Sequence, residues 1–217
     1  LDIFGFAMFI VFVGRIDAIS FAATSMACQI NTLSFLPMIG FSIATSTLVG
    51  RAIGQGKPAL AQRSTYSAAA MTLTYMILIA AGYWFFPQLF MHPFKSQADP
   101  AQFEAIRPIV EKLLCFIAIY CVFDTGNLIF SAALKGAGDT FFVMVNSTLL
   151  NWVVLVIPSY LAITFLKGRQ SLYIAWLALT SYVSLLAILF LCRFLNGKWK
   201  TMRVIEISAP IVPSTTL

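Results

Sequence analysis

The sequence predicts an all-α integral membrane protein, a bundle of six transmembrane helices, and two observations carry that prediction. Charged residues make up 10% of the 217 and hydrophobic residues 60%, with 20 Phe and a mean hydropathy of +0.89. Ordinary soluble domains carry roughly 25% charged residues. The apolar residues also gather into runs of about bilayer length, and the stretches between those runs hold most of the charge. The chain opens on Leu1, inside an apolar run and without an initiator Met. It is therefore read as a piece of a longer protein with a truncated first span.

Crossing a bilayer takes about 20 mostly apolar residues. The candidate spans are 2–14 (truncated), 19–49, 67–86, 108–133, 142–165 and 172–195, together a transmembrane lobe over 1–200. Residues 201–217 follow as a cytoplasmic tail, with Pro210 and Pro213 and no clear span. The first span, "DIFGFAMFIVFVG", is apolar after Asp2, which by itself reads as a chain-end residue. The second span would make roughly 45 Å of helix at 1.5 Å per residue, longer than a core of about 30 Å. Pro37 and Gly40 lie near its middle, so it is expected to be bent or broken there. Such a bend serves either gating or plain packing.

The third span ends on Tyr83–Trp84, and a helix start follows in "ADPAQ". There Asp99 can cap, Pro100 suits the first helical position and Gln102 completes a capping box. The fourth span leads into "KGAGDT", where Gly136 and Gly138 can close one helix and Asp139 or Thr140 can cap the next. The fifth and sixth spans are separated by "LKGRQS".

Alternation of the loops sets orientation. One side carries Arg51, Lys57, Arg63, Lys135, Arg193, Lys198, Lys200 and Arg203; the other carries Arg15, Lys95, Arg107, Lys112, Lys167 and Arg169. The excess assigns the first side to the cytoplasm. Tyr83–Trp84 and Tyr173–Trp176 then meet at the outer interface as an aromatic belt. The net charge of +6 is scattered among the loops, which suits anionic lipid and not nucleic acid. Cys28, Cys115, Cys121 and Cys192 match no metal or redox spacing and read as small buried hydrophobes. The single His92 has no nucleophile arranged around it, and no HExxH, phosphate-cradling or Walker motif occurs, so an enzyme is not expected. Gly50 and Gly54 form a GxxxG at a helix end, better explained by close packing or a turn than by dimerisation.

Asp124 is the sharpest chemical signal. An ionised Asp at the centre of a membrane helix costs about 2.5–3.5 kcal/mol on insertion scales, so it should face the bundle interior or a wet cavity. Tyr120, Asp124, Asn127 and Ser131 share one helical stripe. A carboxylate with hydroxyl and amide oxygens suits a hard cation such as Na+, or a proton on the carboxylate itself. The alternative is a neutral Asp hydrogen-bonded across a helix interface. Ser25, Gln29 and Thr32 share a face of the second span, Ser147 and Asn151 of the fifth, and Ser181 and Ser184 of the sixth. Each could line the same space or form an interhelical hydrogen bond worth about 0.6 kcal/mol.

Two stretches carry a resemblance. "AATSMACQINTLSFLPMIGFSIATSTLVGRAIGQGKPALA" is similar to the segment of multidrug and toxic compound extrusion (MATE) transporters that runs through a bent helix into a glycine-marked cytoplasmic loop. "FDTGNLIFSAALKGAGDT" resembles a later segment of the same half, whose loop usually reads LRGAGDTR. The resemblance implies a twelve-helix antiporter of two six-helix lobes, of which this chain is the C-terminal one and the N-terminal one is its missing partner. It implies export of organic cations, drugs or other amphiphiles against inward Na+ or H+, in a bacterial inner membrane, with no cofactor beyond the coupling ion. It further implies a cation site at Asp124, joined by Asp2 where the family has a second acidic residue. Lys135 stands for the usual Arg, Phe141 for the Arg after GAGDT, Arg51 for a common Gln, and Thr24–Ser25 for a His-Gln pair on the cavity side. Two rivals are a flippase of a lipid-linked sugar and, if no second lobe exists, a non-transporting membrane scaffold. The near absence of Lys and Arg inside the spans argues against the first.

Overall fold

The computed structural model describes residues 2–95, 100–166 and 168–201, except the side chains of 2, 3, 101, 102 and 201. In chain order the elements are α1 (Asp2–Gly14), α2 (Ala18–Gly54), α3 (Pro58–Phe85), α4 (Pro87–Lys95), α5 (Pro100–Gly136), α6 (Thr140–Leu150), a π-helical turn (Asn151–Val156), α7 (Ile157–Phe165), α8 (Arg169–Leu195) and a 3-10 turn (Lys198–Thr201). Among the described residues, five stretches are long and apolar enough to cross a membrane: Ala18–Gly54, Pro58–Phe85, Phe103–Gly136, Thr140–Phe165 and Arg169–Leu195. Phe4–Gly14 is a shorter apolar helix. The chain is an all-α membrane bundle.

The helices outrun the apolar stretches of the sequence. Between α2 and α3 only Gln55–Lys57 leaves helix, turning on Gly56 at φ +68°, so Arg51 and Arg63 both stand on helices. Backbone hydrogen bonding continues past the point where side chains become polar, so hydropathy marks the membrane and not the helix end. For the same reason α4 forms in a stretch that reads as loop. Asp17 caps α2, its carboxylate accepting from Ser20 N at 2.5 Å and Ser20 Oγ at 2.8 Å.

Within the bundle, α5 and α8 are central. Half of the apolar window of each lies buried in protein (50% and 56%), against 22% for α2 and for α3. Leu113, Leu114 and Ile117 of α5 and Trp176, Leu186 and Phe190 of α8 are all buried in one hydrophobic core. Two glycines permit close approach to α5. A Cβ on Gly126 would touch the Ala187 methyl at 3.4 Å, and one on Gly136 would run into the Ser46 carbonyl of α2. Gly50 of α2 faces the Gly136 carbonyl, while Gly54 has open space, so close packing explains only the first residue of the GxxxG. Leu33, Leu78, Phe85 and Phe165 point outward and are strongly exposed, as a lipid-facing surface requires.

Several expectations are corrected. α2 is not broken: it stays helical from Ala18 through Pro37 to Gly54. The turn ahead of Pro37 is braced by α3, whose Tyr83 hydroxyl donates to Ser34 Oγ at 2.7 Å and whose Tyr75 hydroxyl donates to the Ser34 carbonyl at 3.1 Å. Neighbouring helices thereby support the weakened backbone. Tyr83 and Trp176 are fully buried and belong to no aromatic belt; Trp84 is the exposed member of its pair. Of the cysteines only Cys121 is buried, and Cys192 is exposed, because lipid accommodates a small thiol as well as a protein core does. Asp139 stands at the cap position just ahead of α6 but makes no capping bond with its side chain; it turns instead to Arg193. Gly138, at φ +96°, makes the turn, while Gly136 serves helix contact. Pro100 opens α5 as expected, whereas Asp99, the Gln102 side chain, Lys167 and the 202–217 tail lie outside the described residues.

Candidate functional site

The candidate site is assembled on α5, one of the two central helices. Asp124 is 7% exposed, so its carboxylate is held inside the bundle and away from lipid. One turn of helix brings Asn127 beneath it, and Asn127 Nδ2 donates to Asp124 Oδ1 at 2.9 Å. Among the described residues no Lys, Arg or His forms an ion pair with this carboxylate; the three ion pairs are Arg107–Glu104, Arg107–Glu111 and Arg193–Asp139. A buried carboxylate without a fixed counter-charge is a site where an arriving cation or proton changes the energetics most.

One turn before Asp124, the Tyr120 hydroxyl accepts from Asn31 Nδ2 of α2 at 2.6 Å. The neighbouring Cys121 thiol donates to Asn31 Oδ1 at 3.2 Å. Thr125 donates to the Cys121 carbonyl at 3.1 Å, which keeps its hydroxyl within α5. Ser131, also buried, donates to the Leu128 carbonyl at 3.2 Å. The predicted stripe of Tyr120, Asp124, Asn127 and Ser131 thus sits on one helix with all four away from lipid or half-buried. The stripe carries a carboxylate, a phenol and an amide carbonyl, a hard donor set of the kind that suits Na+ or a shared proton.

Other predicted positions are placed elsewhere. Gln29 and Thr32 lie on the exposed side of α2; Gln29 Nε2 donates to Ser25 Oγ at 3.3 Å and Thr32 Oγ1 to the Cys28 carbonyl at 2.8 Å. The structure does not bring them to Asp124. Pro37 and Gly40 are exposed on the same helix, and a Cβ on Gly40 would meet open space. Asn151 is buried at the start of the π-helical turn, with its side chain packed directly on Gly5 of α1. A π-turn inside a span widens the helix locally and leaves room for such a side chain. Asp2 begins α1, but its side chain lies outside the described residues.

Sequence reasoning missed Asn31, Ser34 and the depth of Thr24. Thr24 is 1% exposed and accepts from Trp176 Nε1 of α8 at 3.4 Å. Thr24, Asn31 and Ser34 all stand on the inward side of α2, the side opposite Gln29 and Thr32. A count of spacing from Ser34 back to Asn31 and Thr24 (i, i−3, i−10) would have found this stripe.

Comparison with known proteins adds findings of three kinds. The MatE family profile matches residues 1–161. A probable multidrug resistance protein NorM of Mesorhizobium japonicum is 31% identical over 183 residues, covering 84% of this chain and 38% of that protein. A probable multidrug resistance protein NorM of Pseudomonas syringae pv. tomato is 25% identical over 206 residues, 95% of this chain and 43% of that protein. Among solved structures, an outward-facing multidrug resistance MATE family transporter of the MOP superfamily superposes with a TM-score of 0.79 at 15% identity, covering 92% of this chain and 44% of that one. A MOP superfamily transporter from Pyrococcus furiosus superposes with a TM-score of 0.78 at 16% identity. The structural likeness is one of fold. The chain spans less than half the length of the relatives it matches.

Proposed function

The chain belongs to the MatE family, and on that premise we propose that it forms the C-terminal lobe of a cation-coupled antiporter. In this reading the lobe pairs with a second six-helix lobe in a bacterial plasma membrane. The pair exports organic cations, drugs or other amphiphilic compounds in exchange for inward Na+ or H+. The relatives' names supply the substrate class, and Asp124 supplies the coupling.

The single observation that carries the coupling is the Asp124 carboxylate, 7% exposed and hydrogen-bonded to Asn127, with no cationic partner among the described residues. A Na+ ion or a proton arriving there neutralises a charge that the low-dielectric interior otherwise disfavours. Tyr120 and the Asn127 carbonyl complete the donor set, and Asp2 is the family's candidate for a second carboxylate. Neutralisation favours one packing of α5 against α2 and α8, and bending of α2 near Pro37 accompanies the switch. Substrate leaves as the cation enters because each ligand stabilises a different state, and the coupling is reciprocal.

The test is Asp124→Asn in the full-length transporter, reconstituted in vesicles under an imposed Na+ or pH gradient, with efflux of a fluorescent organic cation as readout. Gradient-driven efflux should fall to the rate seen without a gradient. Coupled efflux that survives the substitution would sink the assignment, and the gradient that drives the wild type names the coupling ion.

A further inference from the structure

Asn31 stands outside the stripe on α5, yet it is the residue through which α2 reaches that stripe. Its amide uses both ends on consecutive residues of α5: Nδ2 donates to the Tyr120 hydroxyl at 2.6 Å, and Oδ1 accepts from the Cys121 thiol at 3.2 Å. The phenol and the thiol can each donate or accept, so the amide can bridge both residues at once. A phenol oxygen that accepts one N–H keeps a second lone pair and its own proton for another partner. Asp124 follows one turn further along α5 on the same stripe, and a cation shared between its carboxylate and the phenol would use that lone pair.

The other side of the same α2 turn is fastened as well. Ser34, three residues after Asn31, is bonded by Tyr83 and Tyr75 of α3. The stretch just ahead of Pro37 is therefore clamped between α3 and α5, while the chain after Pro37 meets α5 through backbone contact at Ser46, Gly50 and Gly136. Side-chain hydrogen bonds hold the first half and steric fit holds the second.

We propose that Asn31 is a positioning residue for the coupling cation, holding the Tyr120 hydroxyl in place to serve the Asp124 site and tying that site to α2 ahead of Pro37. This rests on the reading of Asp124 as the cation site. Asn31 does not touch the cation; it acts through the Tyr120 oxygen.

The experiment compares wild type, Asn31→Leu, Tyr120→Phe and the double variant in the full-length transporter in vesicles, measuring efflux against Na+ or H+ concentration. Leu keeps the branched heavy-atom shape of Asn, with slightly more bulk, and removes both hydrogen bonds. Each single substitution should raise the half-saturating cation concentration about tenfold, the low end of what losing an outer partner costs a bound metal. The maximal rate at saturating cation should change little. The double variant should be no worse than either single one, because both remove the same contact. A purely structural role would lower the rate at every cation concentration and leave half-saturation where it was. Unchanged half-saturation, or additive shifts, overturns the proposal. If Asn31→Leu fails to insert, Tyr120→Phe alone decides, and an unshifted half-saturation there overturns it too. Asp124→Asn run alongside separates the two ideas. Retained coupling in that variant removes the cation site itself, whereas lost coupling with a normal Asn31→Leu removes only the role of Asn31.

Discussion

Asp124 and Asp139 stand on adjoining parts of the chain and are buried almost equally, at 7% and 6% exposure, yet their surroundings are opposite. Asp139 Oδ2 lies 2.7 Å from Arg193 Nε at the end of α8, and the Arg193 guanidinium sits 4.4 Å over the Phe142 ring. The charge of Asp139 is balanced by a permanent partner, and the pair joins the α5–α6 turn to α8. Asp124 has a neutral amide for company. Burial by itself therefore says little about role. A carboxylate with a built-in cation is committed to holding the fold, and one without is free to respond when a cation arrives.

The largest expected effect comes from breaking the committed pair. Arg193→Ala leaves Asp139 buried and unpaired and should lower unfolding free energy by about 3–5 kcal/mol, read from thermal or denaturant unfolding in detergent. A loss under about 1 kcal/mol would mean that the two aspartates are not so different. Asp124→Asn should behave the other way: the amide keeps the shape and one acceptor for Asn127, so stability should move by about 1 kcal/mol or less while coupling disappears. A large destabilisation there would make Asp124 a structural residue like Asp139. The smallest effect is expected at the solvent-facing pairs of Arg107 with Glu104 (3.9 Å) and Glu111 (3.1 Å). Glu104→Gln should change stability by about 0.5 kcal/mol or less, which calibrates what an exposed carboxylate contributes in this protein.

The same contrast explains which parts of the site were legible in advance. Asp124 could be read from sequence because an acid in an apolar run has few places to go, and Asn127 because it lies one turn away on the same helix. Asn31 could not, since its partner Tyr120 lies 89 positions along the chain. Asp139 was legible as a turn residue, and it does stand just ahead of α6, but its ion pair spans 54 positions to α8. Tyr83 and Trp176 show the limit from the other direction. Both look like interface aromatics by composition, and both are buried because Ser34 and Thr24 of α2 provide hydrogen-bond partners for their polar tips. Thr32, in contrast, bonds back to its own helix at the Cys28 carbonyl, so a polar residue on α2 need not point inward.

By itself the sequence determined that the chain is a helical membrane protein, which stretches are apolar enough to cross a bilayer, and that Asp124 should avoid lipid. Those properties are local: they follow from transfer energies and from backbone bonds closed within each helix. Only the tertiary structure decided that α2 runs unbroken past Pro37, that α5 and α8 form the centre, and which polar side chains meet. Lipid tails and a protein core are equally apolar, so hydropathy cannot tell the lipid-facing side of a span from its packed side. That choice is made by contacts between distant segments, such as Gly136 against Ser46, Asn31 on Tyr120 and Arg193 on Asp139.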